Sequence, residues 1–99
     1  MPKKGYVYIL ASKRNGTLYV GATSNIVQRM EQHKAASVKG FTADYKINQL
    51  VYYEAFGNMS EAIAREKAVK KWNRAWKIRL IEAGNEEWND LPVEQVLCK

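Results

Sequence analysis

Ninety-nine residues hold one domain with one core and leave no room for a second, so a single domain spanning 1–99 is expected. A hydrophobic share of 46% with 26% charged residues is that of a folded globular chain, and sixteen basic against ten acidic residues leave a formal charge of +6, which favours a polyanionic partner. No apolar run nears the ~18–20 residues of a membrane helix, and Tyr6–Ala11 behind Lys3 and Lys4 is shorter than the ~7–15 apolar residues of an export signal. With Cys98 as its single cysteine, the chain can form no internal disulfide; a cytoplasmic location and a monomer are expected.

The β-branched and aromatic stretch "GYVYILA", Gly5–Ala11, predicts a strand. Asn15-Gly16 predicts a hairpin turn, and "TLYVGA", Thr17–Ala22, is the return strand. Thr23, Ser24 and Asn25 offer helix caps before Ile26–Lys34, whose Ile26, Val27 and Met30 follow the helical period. The signal weakens from Ala35 to Gln49, where a loop and a short helix near Phe41–Lys46 are expected. "LVYYEAF", Leu50–Phe56, predicts a third strand. Asn58 with Glu61 forms a capping box for a helix from Met59 to about Asn73. A second helical stretch, Arg74–Ala83, is ended by Gly84, and Trp88 and Leu91 pack the remaining tail. The order β-β-α-(α)-β-α-α predicts an α+β fold, a small three-stranded antiparallel sheet flanked by helices.

Strand parity places the first candidate group. A two-residue loop at Asn15-Gly16 would pair Arg14 with Thr17, Ser12 with Tyr19 and Leu10 with Gly21. Any even loop then puts Tyr8, Tyr19 and Gly21 on one face. Val7, Ile9, Leu18 and Val20 face the other way, as core. Arg29 and His33 stand i, i+4 on the following helix, at the border of its apolar stripe. A guanidinium is suited to clamp phosphate oxygens, and an imidazole to orient a hydroxyl or carry a proton.

Glu66 falls among Ala62, Ile63, Val69 and Trp72, the apolar positions of the next helix. A carboxylate there needs a cation. Lys70, one turn on, would supply it structurally, while a single Mg²⁺, held by few protein carboxylates, would supply it functionally. From Arg65 to Arg79 seven basic residues face one acid, Glu66, a surface suited to grip a phosphate backbone without reading sequence.

Taken together, "YVY" (Tyr6–Tyr8), "YVG" (Tyr19–Gly21), Arg29, His33 and Glu66 resemble the GIY-YIG nuclease family, although Tyr6 stands where the family name has glycine. "GFTADY", "LVYYE", "REKAVKKWNRAWKIRLIE" and "EWNDL" resemble its small stand-alone bacterial members, the UPF0213 proteins. The resemblance implies an endonuclease that hydrolyses phosphodiester bonds with one Mg²⁺ or Mn²⁺. Its substrate would be nucleic acid, DNA ahead of RNA, cut with little sequence specificity. Tyr8, Tyr19, Arg29, His33 and Glu66 would be catalytic, Glu66 holding the metal and Tyr8 deprotonating or orienting the water. Gly21, Tyr45, Lys67, Lys70, Lys71 and Arg74 would contact substrate. The alternative is a nucleic-acid-binding module of the same fold that cleaves nothing. Hairpin parity and the helix spacings predict that the five catalytic candidates converge on one patch.

Overall fold

A computed structural model of the chain describes residues 4–14, 16–34 and 49–91, with backbone alone at 31–34. The strands are β1 (Gly5–Ala11), β2 (Leu18–Thr23) and β3 (Gln49–Phe56), and the helices are α1 (Ile26–Lys34), α2 (Met59–Lys71) and α3 (Arg74–Glu82). They form an antiparallel sheet in the order β2-β1-β3, flanked by helices: the expected α+β fold. The short helix expected near Phe41–Lys46 lies outside the described residues.

β1 is central and buried along its whole length, because both of its faces are covered. Val7, Ile9 and Ala11, with Val20 and Val51, pack on Ala62 and Val69 of α2, Ile81 of α3 and Trp88. On the other face Tyr6, Tyr8, Leu10 and Leu50 meet Ile26 and Met30 of α1. The β2 register differs by two residues from the two-residue-loop pairing. Tyr8 stands opposite Gly21, and Leu10 opposite Tyr19. The cause is the turn: Ser12 N–H donates to the Thr17 carbonyl at 3.1 Å and Gly16 N–H to that of Lys13 at 2.9 Å, so the loop spans residues 13–16. An even loop preserves parity, and the tyrosine face stands as expected.

The second helical region is shaped by two asparagines. Asn58 Oδ1 accepts from Glu61 N–H at 2.9 Å and starts α2. Asn73 Oδ1 accepts from Trp76 N–H at 2.9 Å and starts α3. The expected run to Asn73 therefore stops at Lys71, because the amide side chain caps the next helix instead of continuing the last. Gly5 lets α2 begin close to β1; a Cβ there would lie 2.6 Å from Ala62 Cβ and 2.9 Å from the Asn58 carbonyl oxygen. Ile63, expected on the apolar stripe, is exposed instead.

Residues 85–91 close one side of the sheet. The pairing of β3 with β1 shifts between Ile9 and Leu10, leaving Val51 as the extra residue of a bulge. Around that bulge, Asn85 Nδ2 donates to the Val51 carbonyl at 3.0 Å. Leu50 N–H donates to Asp90 Oδ1 at 2.9 Å, and its carbonyl accepts from Leu91 N–H at 2.8 Å. Trp88, buried as expected, takes φ 57° and donates its indole N–H to Glu82 Oε2 at 2.7 Å.

Candidate active site

Tyr8 projects from the central strand and is 1% exposed. Its ring lies across β2 where Gly21 has no side chain: a Cβ on Gly21 would sit 2.5 Å from the Tyr8 Oη and 2.6 Å from its Cζ. β2 is the outer strand of the sheet, so the hydroxyl is carried toward that edge. Tyr19 occupies the same face, its ring centroid 6.3 Å from that of Tyr8 with the planes tilted by 37°, and the two side chains are hydrogen-bonded.

The β2–α1 junction brings in the arginine. Asn25 N–H donates to Thr23 Oγ1 at 3.1 Å, and Asn25 Oδ1 accepts from Gln28 N–H at 3.1 Å. With its first turn capped and with Ile26 and Met30 anchored in the core, α1 leaves Arg29 half-buried on its flank. The guanidinium is close enough to Tyr8 to favour its ionised form. His33 lies one turn further along α1; its side chain and the whole of Tyr45 lie outside the described residues.

Glu66 arrives from the opposite direction. α2 packs beneath β1 and β2 on the face away from the tyrosines. Glu66 sits between the buried Ala62 and Val69, with its side chain only 19% exposed. Lys70 Nζ lies 3.6 Å from Glu66 Oε1, so the carboxylate occupies the apolar stripe and also has its helical ion pair. Its charge acts on the Tyr8 hydroxyl as well. Glu66 thus belongs to the face of the sheet opposite Tyr8 and Tyr19.

The Tyr8 phenol is shifted well above its ordinary range. Burial is the main cause, followed by the neighbouring Tyr19; Arg29 opposes the shift, and the Tyr19 hydrogen bond and Glu66 add to it. At neutral pH Tyr8 is therefore a neutral hydroxyl. Of the two roles considered for it, this environment suits orienting a water rather than deprotonating one.

Lys67, Lys70, Lys71 and Arg74 are exposed, as a backbone-gripping surface requires. Arg74 also donates from Nη2 to the Gly16 carbonyl at 2.6 Å and, with Lys77, Thr17 and Leu18, lines a cleft of about 600 Å³. Arg65 does not belong to that surface. Its Nε donates to Glu54 Oε1 at 3.0 Å and its Nη2 to Oε2 at 3.3 Å, while Tyr52 Oη donates to the same Oε2 at 2.5 Å. Its guanidinium lies 4.9 Å from the Trp72 ring centroid. Tyr52 and Glu54 alternate on one strand face, and Arg65 follows Ala62 by one helical turn.

A model of the GIY-YIG catalytic domain matches residues 4–79. The chain belongs to the GIY-YIG family. It is 39% identical over 79 residues to a UPF0213 protein of Staphylococcus haemolyticus, covering 80% of this chain and 95% of that one. A UPF0213 protein of Oceanobacillus iheyensis is 33% identical over 87 residues, covering 88% and 100%. The solution NMR structure of a UPF0213 protein from Bacillus halodurans superposes with a TM-score of 0.55 at 26% identity, covering 88% of this chain and 92% of that chain. GIY-YIG is a nuclease family whose members typically use a divalent metal, so nucleic acid is the substrate class it indicates. The donor set here fits a hard, oxygen-liganded ion. Among the described residues no three His, Cys, Asp or Glu side chains cluster, and the half-buried Glu66 carboxylate is the oxygen donor that would hold such an ion. No described helix is long and apolar enough to cross a membrane.

Proposed function

We propose that this GIY-YIG protein is a divalent-metal-dependent endonuclease that hydrolyses phosphodiester bonds, in DNA ahead of RNA, with little sequence specificity. The observation that carries the reading is the Tyr8 hydroxyl, laid over Gly21 and influenced at once by Tyr19, Arg29 and Glu66. Hydrolysis joins a water oxygen to phosphorus and expels a bridging ester oxygen, which must gain a proton. Tyr8 and Tyr19 would hold the water by hydrogen bonds. Arg29 would neutralise charge gathering on the phosphate oxygens. His33 would relay the proton and Tyr45 would add a hydroxyl at the rim. Glu66 would hold one Mg²⁺ or Mn²⁺, which when bound supplies charge neutralisation at the phosphate. Lys67, Lys70, Lys71 and Arg74 would grip the backbone.

A second reading, a binding module without catalysis, draws on the Lys70–Glu66 contact, since that carboxylate already has a cation. Supercoiled plasmid with Mg²⁺, Mn²⁺ or EDTA separates the two. The nuclease nicks it with either metal and not with EDTA, and Glu66→Gln loses nicking while still binding DNA in EDTA. A binding module leaves the plasmid intact throughout. Nicking by highly purified Glu66→Gln equal to wild type would falsify the site.

A further inference from the structure

α3 turns Trp76 toward solvent beside Trp72 and Leu80, which pack on the margin of the core. Trp76 is 53% exposed. It stands edge-on to Trp72, with centroids 5.7 Å apart at 77°, and the Arg65 guanidinium fixes Trp72 in turn. With Arg79, Leu80 and Ala83 the two indoles line a groove of about 310 Å³. Among the described residues of that lining, a guanidinium is the sole charged group and there is no carboxylate.

An uncharged apolar partner would match the indoles but not the charge around them. Arg79 lines the groove and Lys70 and Lys71 end α2 just before Trp72, whereas Arg74 and Lys77 face the separate cleft beside Gly16–Leu18. A flat apolar ring on an anionic backbone matches both. Resting on the nucleic-acid reading above, we infer that the Trp72–Trp76 groove is a stacking site for an unpaired nucleobase, with Arg79 holding the adjoining phosphate. A base inside a duplex has both faces covered by its neighbours and has none to offer an indole. The groove therefore favours single strands and junctions carrying an unpaired base.

Anisotropy of a labelled oligothymidylate and of a blunt duplex of equal length, both in EDTA, tests this. Trp76→Ala should weaken single-strand binding on the order of tenfold while duplex binding stays within about twofold; Trp76→Phe, which keeps a ring, should retain most of the affinity. Oligothymidylate should also quench the indole fluorescence of the wild type more than that of Trp76→Ala. Equal losses on both ligands, or no loss on either, would overturn the assignment. So would a concentration-dependent dimer in sedimentation that Trp76→Ala abolishes, because a second copy would then fill the groove. The two readings fail separately. If Trp76→Ala changes nothing while Glu66→Gln is inactive, the groove alone is wrong. Glu66→Gln that nicks like wild type removes the catalytic site and leaves the binding comparison standing.

Discussion

Two glutamates, both on the inner side of the molecule, have opposite environments. Glu54 is saturated: Arg65 donates to both of its oxygens and Tyr52 to one of them. Glu66 is slightly more shielded, at 19% against 24% side-chain exposure, yet it pairs with a lysine of its own helix at 3.6 Å. The first arrangement joins β3 to α2 through several short, directional bonds, and any exchange would leave donors unsatisfied. The second is a longer contact to a flexible side chain, which a better cation displaces at small cost. A carboxylate that is inside and only loosely paired is the better candidate for function.

The largest contrast is expected when each glutamate is made neutral. Glu66→Gln should lower cleavage by at least about a thousandfold, to background, while stability changes by no more than about 0.5 kcal/mol. Glu54→Gln should do the reverse, costing about 1–2 kcal/mol after allowance for partial exposure, or roughly 5–15 °C in thermal midpoint. Calorimetry beside the nicking assay reads both. Similar stability losses for the two variants would dissolve the distinction.

Next in size is Gly21→Ala. The new methyl must displace a buried tyrosine hydroxyl 2.5 Å away, for an overpacking cost of about 1–3 kcal/mol. Activity should fall by more than this destabilisation predicts, because the displaced atom belongs to the candidate site. Full activity in a folded Gly21→Ala protein would separate Tyr8 from the chemistry.

A smaller effect concerns DNA binding. Lys70→Ala with Lys71→Ala should weaken unrelated duplexes alike and reduce the salt slope of log K by roughly two, whereas Arg65→Ala should leave that slope unchanged and lower stability. An altered slope for Arg65→Ala would return that residue to the binding surface.

The smallest effect, absent at neutral pH, involves the phenol on each side of the comparison. Tyr8 and Tyr52 are both shifted above their ordinary value, chiefly by burial. The folded chain therefore retains protons that the unfolded chain releases above its phenol pKa of ~10. Their contribution to stability is complete below about pH 10 and is lost as pH rises beyond it. Denaturant titrations from pH 8 upward should show this alkaline loss, and Tyr8→Phe or Tyr52→Phe should reduce it. An ionisation of Tyr8 near pH 7, followed by its absorbance, would restore the general-base role.

Much of this was legible in the sequence because it depends on periodicity. Alternation along β1 and β2 sorted Tyr8, Tyr19 and Gly21 from Val7, Ile9 and Val20 whatever the even loop length. Asn58 marked the start of α2 because its short amide reaches a backbone N–H three residues on. Register was not legible, since Asn15-Gly16 is compatible with more than one loop length. Asn73 reads as the last residue of α2, although the side-chain chemistry that caps α2 caps α3 equally well. The clasp of Arg65 was hidden in a basic run, because a cation's partner eleven residues away on another element leaves no local pattern. The shift on Tyr8 depends on burial, which sequence describes only coarsely.

The bonds from residues 85–91 to Gln49–Val51 carry a consequence for solubility. An outer strand whose N–H and C=O groups point outward is a template for a strand from another molecule. On β3 those groups at Leu50 and Val51 are already engaged by Asp90, Leu91 and Asn85, so this short segment acts as a shield against intermolecular β-pairing. Cutting the chain after Gly84 would expose that edge beside the apolar surface Trp88 now covers. Such a fragment should self-associate, drawn together by the surfaces that the segment normally conceals.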